Sequence, residues 1–189
     1  MAEHTYPARL DVDYPDTLDR FTTFFRIIWV IPVAILVALA TAGQLWFAAA
    51  LMIVFRVRYP RWWFDFLREL ARFSTRVGAY MFMLTDEYPS TDAEQSVHLE
   101  IDYPDVEKDL NRWLPLVKWL LAIPHYVVLA ILFIGVFFVS IMAWFAILFT
   151  GRYPRGMFDY TVGVFRWGLR VEAYAYLMIT DEYPPFSLK

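Results

Sequence analysis

Two stretches without a single charged side chain set the limits on this fold. One runs from Ile27 to Phe55 and the other from Trp119 to Gly151. Each exceeds the roughly 20 apolar residues that carry a helix across a bilayer. Uncharged runs of this length are too long for the buried helices of a soluble domain. The 189 residues are 59% hydrophobic, against about 45–50% in soluble domains. The expected class is therefore a mainly α, integral membrane protein.

The net charge of −3 gives no footing for nucleic acid. Cysteine is absent, which excludes disulfides, thiolate metal sites and thiol nucleophiles. Ala38-Leu39-Ala40, preceded by Arg20 and Arg26, mimics a signal-peptide cleavage site. Two features argue against cleavage: the acidic, alternating segment ahead of it, and the recurrence of the whole layout in the second half.

That recurrence is a tandem duplication. Leu10 to Asp16 matches Leu99 to Asp105, and Ile31-Pro32 matches Ile123-Pro124. Arg58-Tyr59-Pro60-Arg61 matches Arg152-Tyr153-Pro154-Arg155, and Phe64-Asp65 matches Phe158-Asp159. Arg76-Val77 and Ala79-Tyr80 match Arg170-Val171 and Ala173-Tyr174, and Thr85–Pro89 matches Thr180–Pro184. The offset drifts from 89 through 92 and 94 to 95, so the second copy has gained a few residues. The copies divide the chain into 1–90 and 91–189.

Each copy has four parts. A short alternating segment comes first: Leu10, Val12 and Tyr14 face one way, Asp11 and Asp13 the other, and Leu99, Ile101 and Tyr103 repeat this. Period two predicts a half-buried strand, and two such strands can pair with each other at a membrane surface. The apolar run follows. A Tyr-Pro then opens a helix, proline being suited to its first turn. On that helix Arg61, Asp65, Arg68, Arg72 and Arg76 share one face, with Trp63, Phe66, Leu67, Leu70, Phe73 and Val77 toward the other. Arg155, Asp159, Arg166 and Arg170 hold the same face in copy two. The pattern predicts an interfacial amphipathic helix with arginines in the headgroups, or one packed on the chain's own apolar helices. Thr-Asp-Glu-Tyr-Pro ends it, since the residue before proline is biased away from α.

A single helix of 29 to 33 residues would reach roughly 45–50 Å, against a hydrocarbon core of about 30 Å. Identical polar motifs should also meet the same solvent, which asks for an even number of crossings. The expectation is a transmembrane helical hairpin per copy, four membrane helices in all, with turns near Gly43 and Gly135. Two long tilted helices are the alternative.

The phrases Gly151-Arg152-Tyr153-Pro154, Phe158-Asp159, Arg170 to Tyr174 and Thr180 to Phe186 resemble the bacterial membrane-protein family known as domain of unknown function 4389. The resemblance covers both copies. Copy one departs with Val57 in place of Gly151 and Ser90 in place of Pro185. No activity and no catalytic residue follow from it.

Chemistry is sparse. His125 is the one histidine within an apolar run, and it reads as a neutral, hydrogen-bonded side chain. The carboxylates Asp86, Glu87, Asp181 and Glu182 could hold Ca²⁺ or Mg²⁺. The favoured reading is ion pairing with Arg58, Arg76, Arg152 and Arg170, with Asp65 and Asp159 in the same interface network. No cofactor is expected, and the chain does not read as an enzyme. It reads as an accessory or scaffold subunit of a larger membrane assembly, or alternatively as a binder of lipid or small hydrophobes. Expected partners are the bilayer and other membrane subunits or a second copy. The positive-inside tendency places the Tyr-Pro motifs and both termini on the cytoplasmic side of the bacterial inner membrane.

Overall fold

The computed structural model describes residues 6–41 and 45–189. In chain order the elements are β1 (Ala8–Val12), α1 (Arg20–Thr41), α2 (Leu45–Arg56), α3 (Arg61–Met81), β2 (Val97–Ile101), α4 (Val106–Asp109), a 3-10 turn (Leu114–Leu116), α5 (Lys118–Leu121), α6 (Ile123–Thr150) and α7 (Arg155–Ala175). The protein is mainly helical with one two-stranded sheet.

The strands pair antiparallel with Leu10 opposite Leu99. Those two leucines are also counterparts in the duplication. The ladder therefore maps onto itself under exchange of the copies, with Ala8 opposite Ile101 and Val12 opposite Val97. An antiparallel pair has its local two-fold perpendicular to the sheet, so a pseudo-dyad runs through this ladder.

The strands are exchanged between copies. β1, from copy one, lies along α7 of copy two: the Tyr6 hydroxyl donates to the Arg170 carbonyl (3.1 Å), Arg166 Nε donates to the Leu10 carbonyl (3.0 Å), and Tyr14 packs edge-on against Phe158. β2 lies on α3 in the same way, with Arg72 reaching the Leu99 carbonyl (3.4 Å) and Tyr103 packed on Phe64. The alternation puts Leu10, Val12, Val97, Leu99 and Ile101 into the core, and leaves Asp11, Asp13, His98 and Glu100 outside.

Beneath α7 lies α6, antiparallel to it along its whole length. Near one end His125 meets Trp167; further along, the Tyr160 hydroxyl donates to the Leu132 carbonyl (3.0 Å). Toward the other end Ala143 and Ile147 share a core cluster with Phe158 and Val162. Leu129, Val136, Ala143 and Ile147 form one buried stripe, at the spacing of a single helical face. α1 lies under α3 likewise, Val30 and Val33 clustering with Val77 and Tyr80, and Ala49 and Ile53 of α2 join the cluster that holds Phe64 and Leu67. The copy-one run is antiparallel to α6: Trp144 Nε1 donates to the Thr23 carbonyl (3.1 Å), and Arg112 Nε donates to the Val54 carbonyl (2.5 Å).

The result is three layers: the ladder, then α3 and α7, then α1, α2 and α6. The far face of the third layer is uncovered. Ile27 is 77% exposed and Phe149 78%, with Ile28, Ile35, Ile131, Ile134, Phe137 and Phe138 among the apolar side chains between them.

Two expectations are corrected here. No turn falls at Gly135, which sits in the middle of a continuous 28-residue α6. Two helices, over Arg20–Ala38 and Ile123–Thr150, are long and apolar enough to cross a membrane, and α2 is shorter. Four membrane helices are thus not seen among the described residues; the other expected turn, at Gly43, lies outside them. On the arginine face of α7 the exchanged strand lies over Arg166 and Arg170, so that Arg170 is buried, while Arg155 and Asp159 stay exposed.

Helix boundaries follow local chemistry. α2 and α6 both end on a left-handed residue, Val57 (φ 49°) and Gly151 (φ 74°), whose N–H groups donate to Ile53 and Ile147. Pro60 and Pro154 then stand at the N-caps of α3 and α7. Pro115 corresponds to Thr23 at the offset of 92. Where copy one has one helix from Arg20, copy two is broken into the 3-10 turn and α5.

Candidate functional site: mirrored polar clusters at the repeat motifs

Each Thr-Asp-Glu-Tyr-Pro motif follows a reversal of the chain. Met83 (φ 63°) and Met178 (φ 56°) are left-handed, and the Leu84 and Ile179 N–H groups donate back to the Ala79 and Ala173 carbonyls (2.8 and 3.1 Å). The reversal carries the aspartates away from the arginines of their own helix and toward the start of the apolar run.

The cations they meet there are Arg26 and Lys118, counterparts at the offset of 92. Lys118 is fully buried. Its Nζ lies 2.7 Å from Asp181 Oδ1, donates to the Thr180 carbonyl (2.6 Å), and stands 5.2 Å from the Tyr174 ring centre. Arg26 repeats the arrangement: it pairs with Asp86, donates to the carbonyls of Tyr80 (2.9 Å) and Thr85 (2.7 Å), and lies over the Tyr80 ring (4.7 Å). The same aspartates accept from the backbone ahead of the run, Asp86 from the Asp19 N–H (2.5 Å) and Asp181 from the Asn111 N–H. Burial pulls the Lys118 ammonium below its ordinary range and Asp181 pushes it back. A buried cation with a carboxylate, a carbonyl and a ring around it is satisfied; removing one partner leaves an uncompensated charge.

Thr85 and Thr180 make the turn itself, each hydroxyl accepting from the N–H two residues on (3.1 Å in both). Glu87 accepts from the Ser96 N–H (2.8 Å) and hydroxyl (2.9 Å), and so ties the motif to the strand that follows. The Glu182 N–H makes the corresponding turn.

The remaining expected residues lie elsewhere. Arg76 donates to the Ser90 carbonyl (2.7 Å), and Arg170 to the Ser187 (3.5 Å) and Lys189 carbonyls. Both arginines thus hold backbone beyond the motif and leave its aspartates to other partners. Asp65 pairs with Arg61 (3.5 Å) and Arg68 (3.3 Å), and Asp159 with Arg155 (3.4 Å), along their own helices. Arg58 and Arg152 are exposed and form no ion pair among the described residues. The grouping expected for Arg58, Arg76, Arg152 and Arg170 with the motif carboxylates is therefore corrected to Arg26 and Lys118. Their signal was in the sequence: they are the last charged residues before each apolar run.

A second mirrored contact joins the copies. The Tyr14 hydroxyl donates to the Tyr153 carbonyl (2.5 Å), and that of Tyr103 to the Tyr59 carbonyl. Arg155 lies over the Tyr14 ring (4.2 Å) and Arg61 over Tyr103 (4.7 Å). The Asp-Tyr-Pro of one copy thus reads the Arg-Tyr-Pro-Arg of the other. Each hydroxyl bond contributes about 1 kcal/mol and each cation–π contact about 0.5–1 kcal/mol at an exposed site.

Among the described residues no three His, Asp or Glu side chains gather closely enough to hold a metal ion. His125 is buried; its Nδ1 accepts from Trp167 Nε1 (3.1 Å) and its ring stacks on Phe186 at 4.0 Å.

The family model described as Domain of unknown function (DUF4389) matches residues 20–91 and again 113–187. The chain belongs to this family, in two tandem copies. Both DUF4389 matches contain a buried cation and its motif aspartate, while the exchanged strands lie outside them. No curated protein and no solved structure matches the chain.

Proposed function

We propose that this DUF4389 protein is a non-catalytic structural subunit of a membrane assembly. It lodges in the cytoplasmic leaflet of the bacterial inner membrane, with the Tyr-Pro motifs and both termini on the cytoplasmic side. The observation that carries the reading is the two-faced slab. One face is the charged ladder, and the opposite face is the uncharged side of α1 and α6, rich in exposed Ile and Phe. Such an apolar face requires lipid or protein against it.

The layering supports lying in a leaflet over crossing it. α6 lies lengthwise under α7, along which β1 also runs, so both of its ends stay in the polar layer's company. The repeated motifs then meet the same solvent without any count of crossings. Anionic inner-leaflet lipids favour the arginine-rich side, and exposed Trp62, Trp113 and Trp119 suit headgroup depth.

Extraction in mild detergent followed by cross-linking and mass spectrometry tests the scaffold role. A defined partner or homo-oligomer is expected; a lone monomer under several gentle conditions would contradict it. Lipid or small-hydrophobe binding is the second reading, supported by an apolar groove between the copies.

A further inference from the structure

The pseudo-symmetry fails at one contact between the copies. At the offset of 94, Gly78 of α3 corresponds to Glu172 of α7, and Ala71 to Phe165. Phe165 lies so close on Gly78 that a Cβ there would meet its ring at 2.7 Å. The same contact cannot form in mirror image, because Ala71 stands where the phenyl would be and Glu172 where the glycine is. A groove of 540 Å³ lies at Glu172 between α3, α6 and α7. Leu129, Phe133 and Phe165 supply apolar walls, and Ser74 and Thr75 line it from α3.

Glu172 is half-buried and no lysine, arginine or histidine lines the groove with it. Its side chain has no hydrogen-bond donor among the described residues. A carboxylate in such surroundings lacks the donors and the positive charge that would stabilise its ionised form. Burial accordingly pushes it up to about 7. An arriving ammonium would supply both charge and donors, while the walls take an alkyl chain.

We propose that this groove binds an ammonium-bearing amphiphile, its cationic head against Glu172 and its chain along Leu129 and Phe133. The site deepens the hydrophobe-binding reading and needs no membrane partner, so it stands or falls separately from the scaffold role. Selectivity comes from the head: an alcohol of equal chain length finds the same walls without the charge. Tyr126 and Tyr176 are the other titratable groups lining the groove, and burial raises the Tyr126 phenol further from neutrality. Binding of the amine therefore strengthens as pH rises through the Glu172 range, while the amine stays protonated.

The test is calorimetric titration of the full chain in uncharged detergent micelles with dodecylamine and, separately, dodecanol. At pH 8 the amine is expected to bind saturably and at least tenfold more tightly than the alcohol, with the preference shrinking at pH 5.5. Glu172→Gln should remove the preference and keep the alcohol. Gly168→Leu, at a groove position with nothing within 4 Å of a Cβ, should weaken both. Equal affinity of amine and alcohol in the natural chain, a preference that survives Glu172→Gln, or unaltered binding in Gly168→Leu would each overturn the assignment. Competition by phosphatidylethanolamine assigns the head to a membrane lipid, and its absence to a free amphiphilic amine.

Discussion

Asp181 and Lys118 show why single residues in this chain resist reading from motif spacing. Thr-Asp-Glu-Tyr-Pro follows an arginine-rich helix, and the nearest cations in sequence are the wrong ones. Two methionines in the left-handed region reverse the chain; nothing in a methionine announces that turn, for which glycine is the usual residue. The pairing leads to a definite expectation. Asp181→Asn leaves Lys118 buried without its counter-ion and should cost about 3–5 kcal/mol. Adding Lys118→Met should recover most of that loss, as a fitted apolar side chain tolerates the site. Chemical denaturation in micelles measures both. Equal stability of the single variant and the natural chain would remove the ion pair from the account.

At the scale of elements, the repeat, the strands, the Tyr-Pro helix starts and the amphipathic helices were legible in periodicity and in turn residues. The hairpins were not. Gly135 looked like a turn because glycine punctuates apolar runs, yet its reason is close packing: a Cβ there would fall 2.4 Å from the Tyr160 hydroxyl. That hydroxyl would have to leave the Leu132 carbonyl, at a cost of about 1 kcal/mol. Glycine-to-alanine in a helix otherwise gains about 1 kcal/mol. Gly135→Ala should thus be close to neutral in the natural background and stabilising by roughly 1 kcal/mol in Tyr160→Phe. A double-mutant cycle reads the difference; no coupling would sink this reason for the glycine. Sequence periodicity also could not show what covers a polar face. Arg166 and Arg170 of α7 look solvent-bound until the strand of the other copy is laid across them.

For the whole molecule, duplication is the organising fact. Strands exchange between the copies, tyrosines cross with them, and the apolar runs lie antiparallel beneath. Both copies were visible in the sequence, but their exchange was not, because two strands with the same alternation can pack on either helix. In the proposed leaflet placement the exchange lets the repeated polar motifs share one solvent while the apolar runs stay long. The proposed placement of α6 in one leaflet can be read at its exposed positions Val127, Ile134 and Ile141. They are seven residues apart on one face, and the chain has no cysteine to interfere with single-cysteine spin labels. Bilayer-depth measurement from oxygen and nickel-chelate accessibility should give all three labels the same depth in one leaflet. A steady change of about 10 Å per step, carrying the series through the bilayer centre as a spanning helix would, would contradict it.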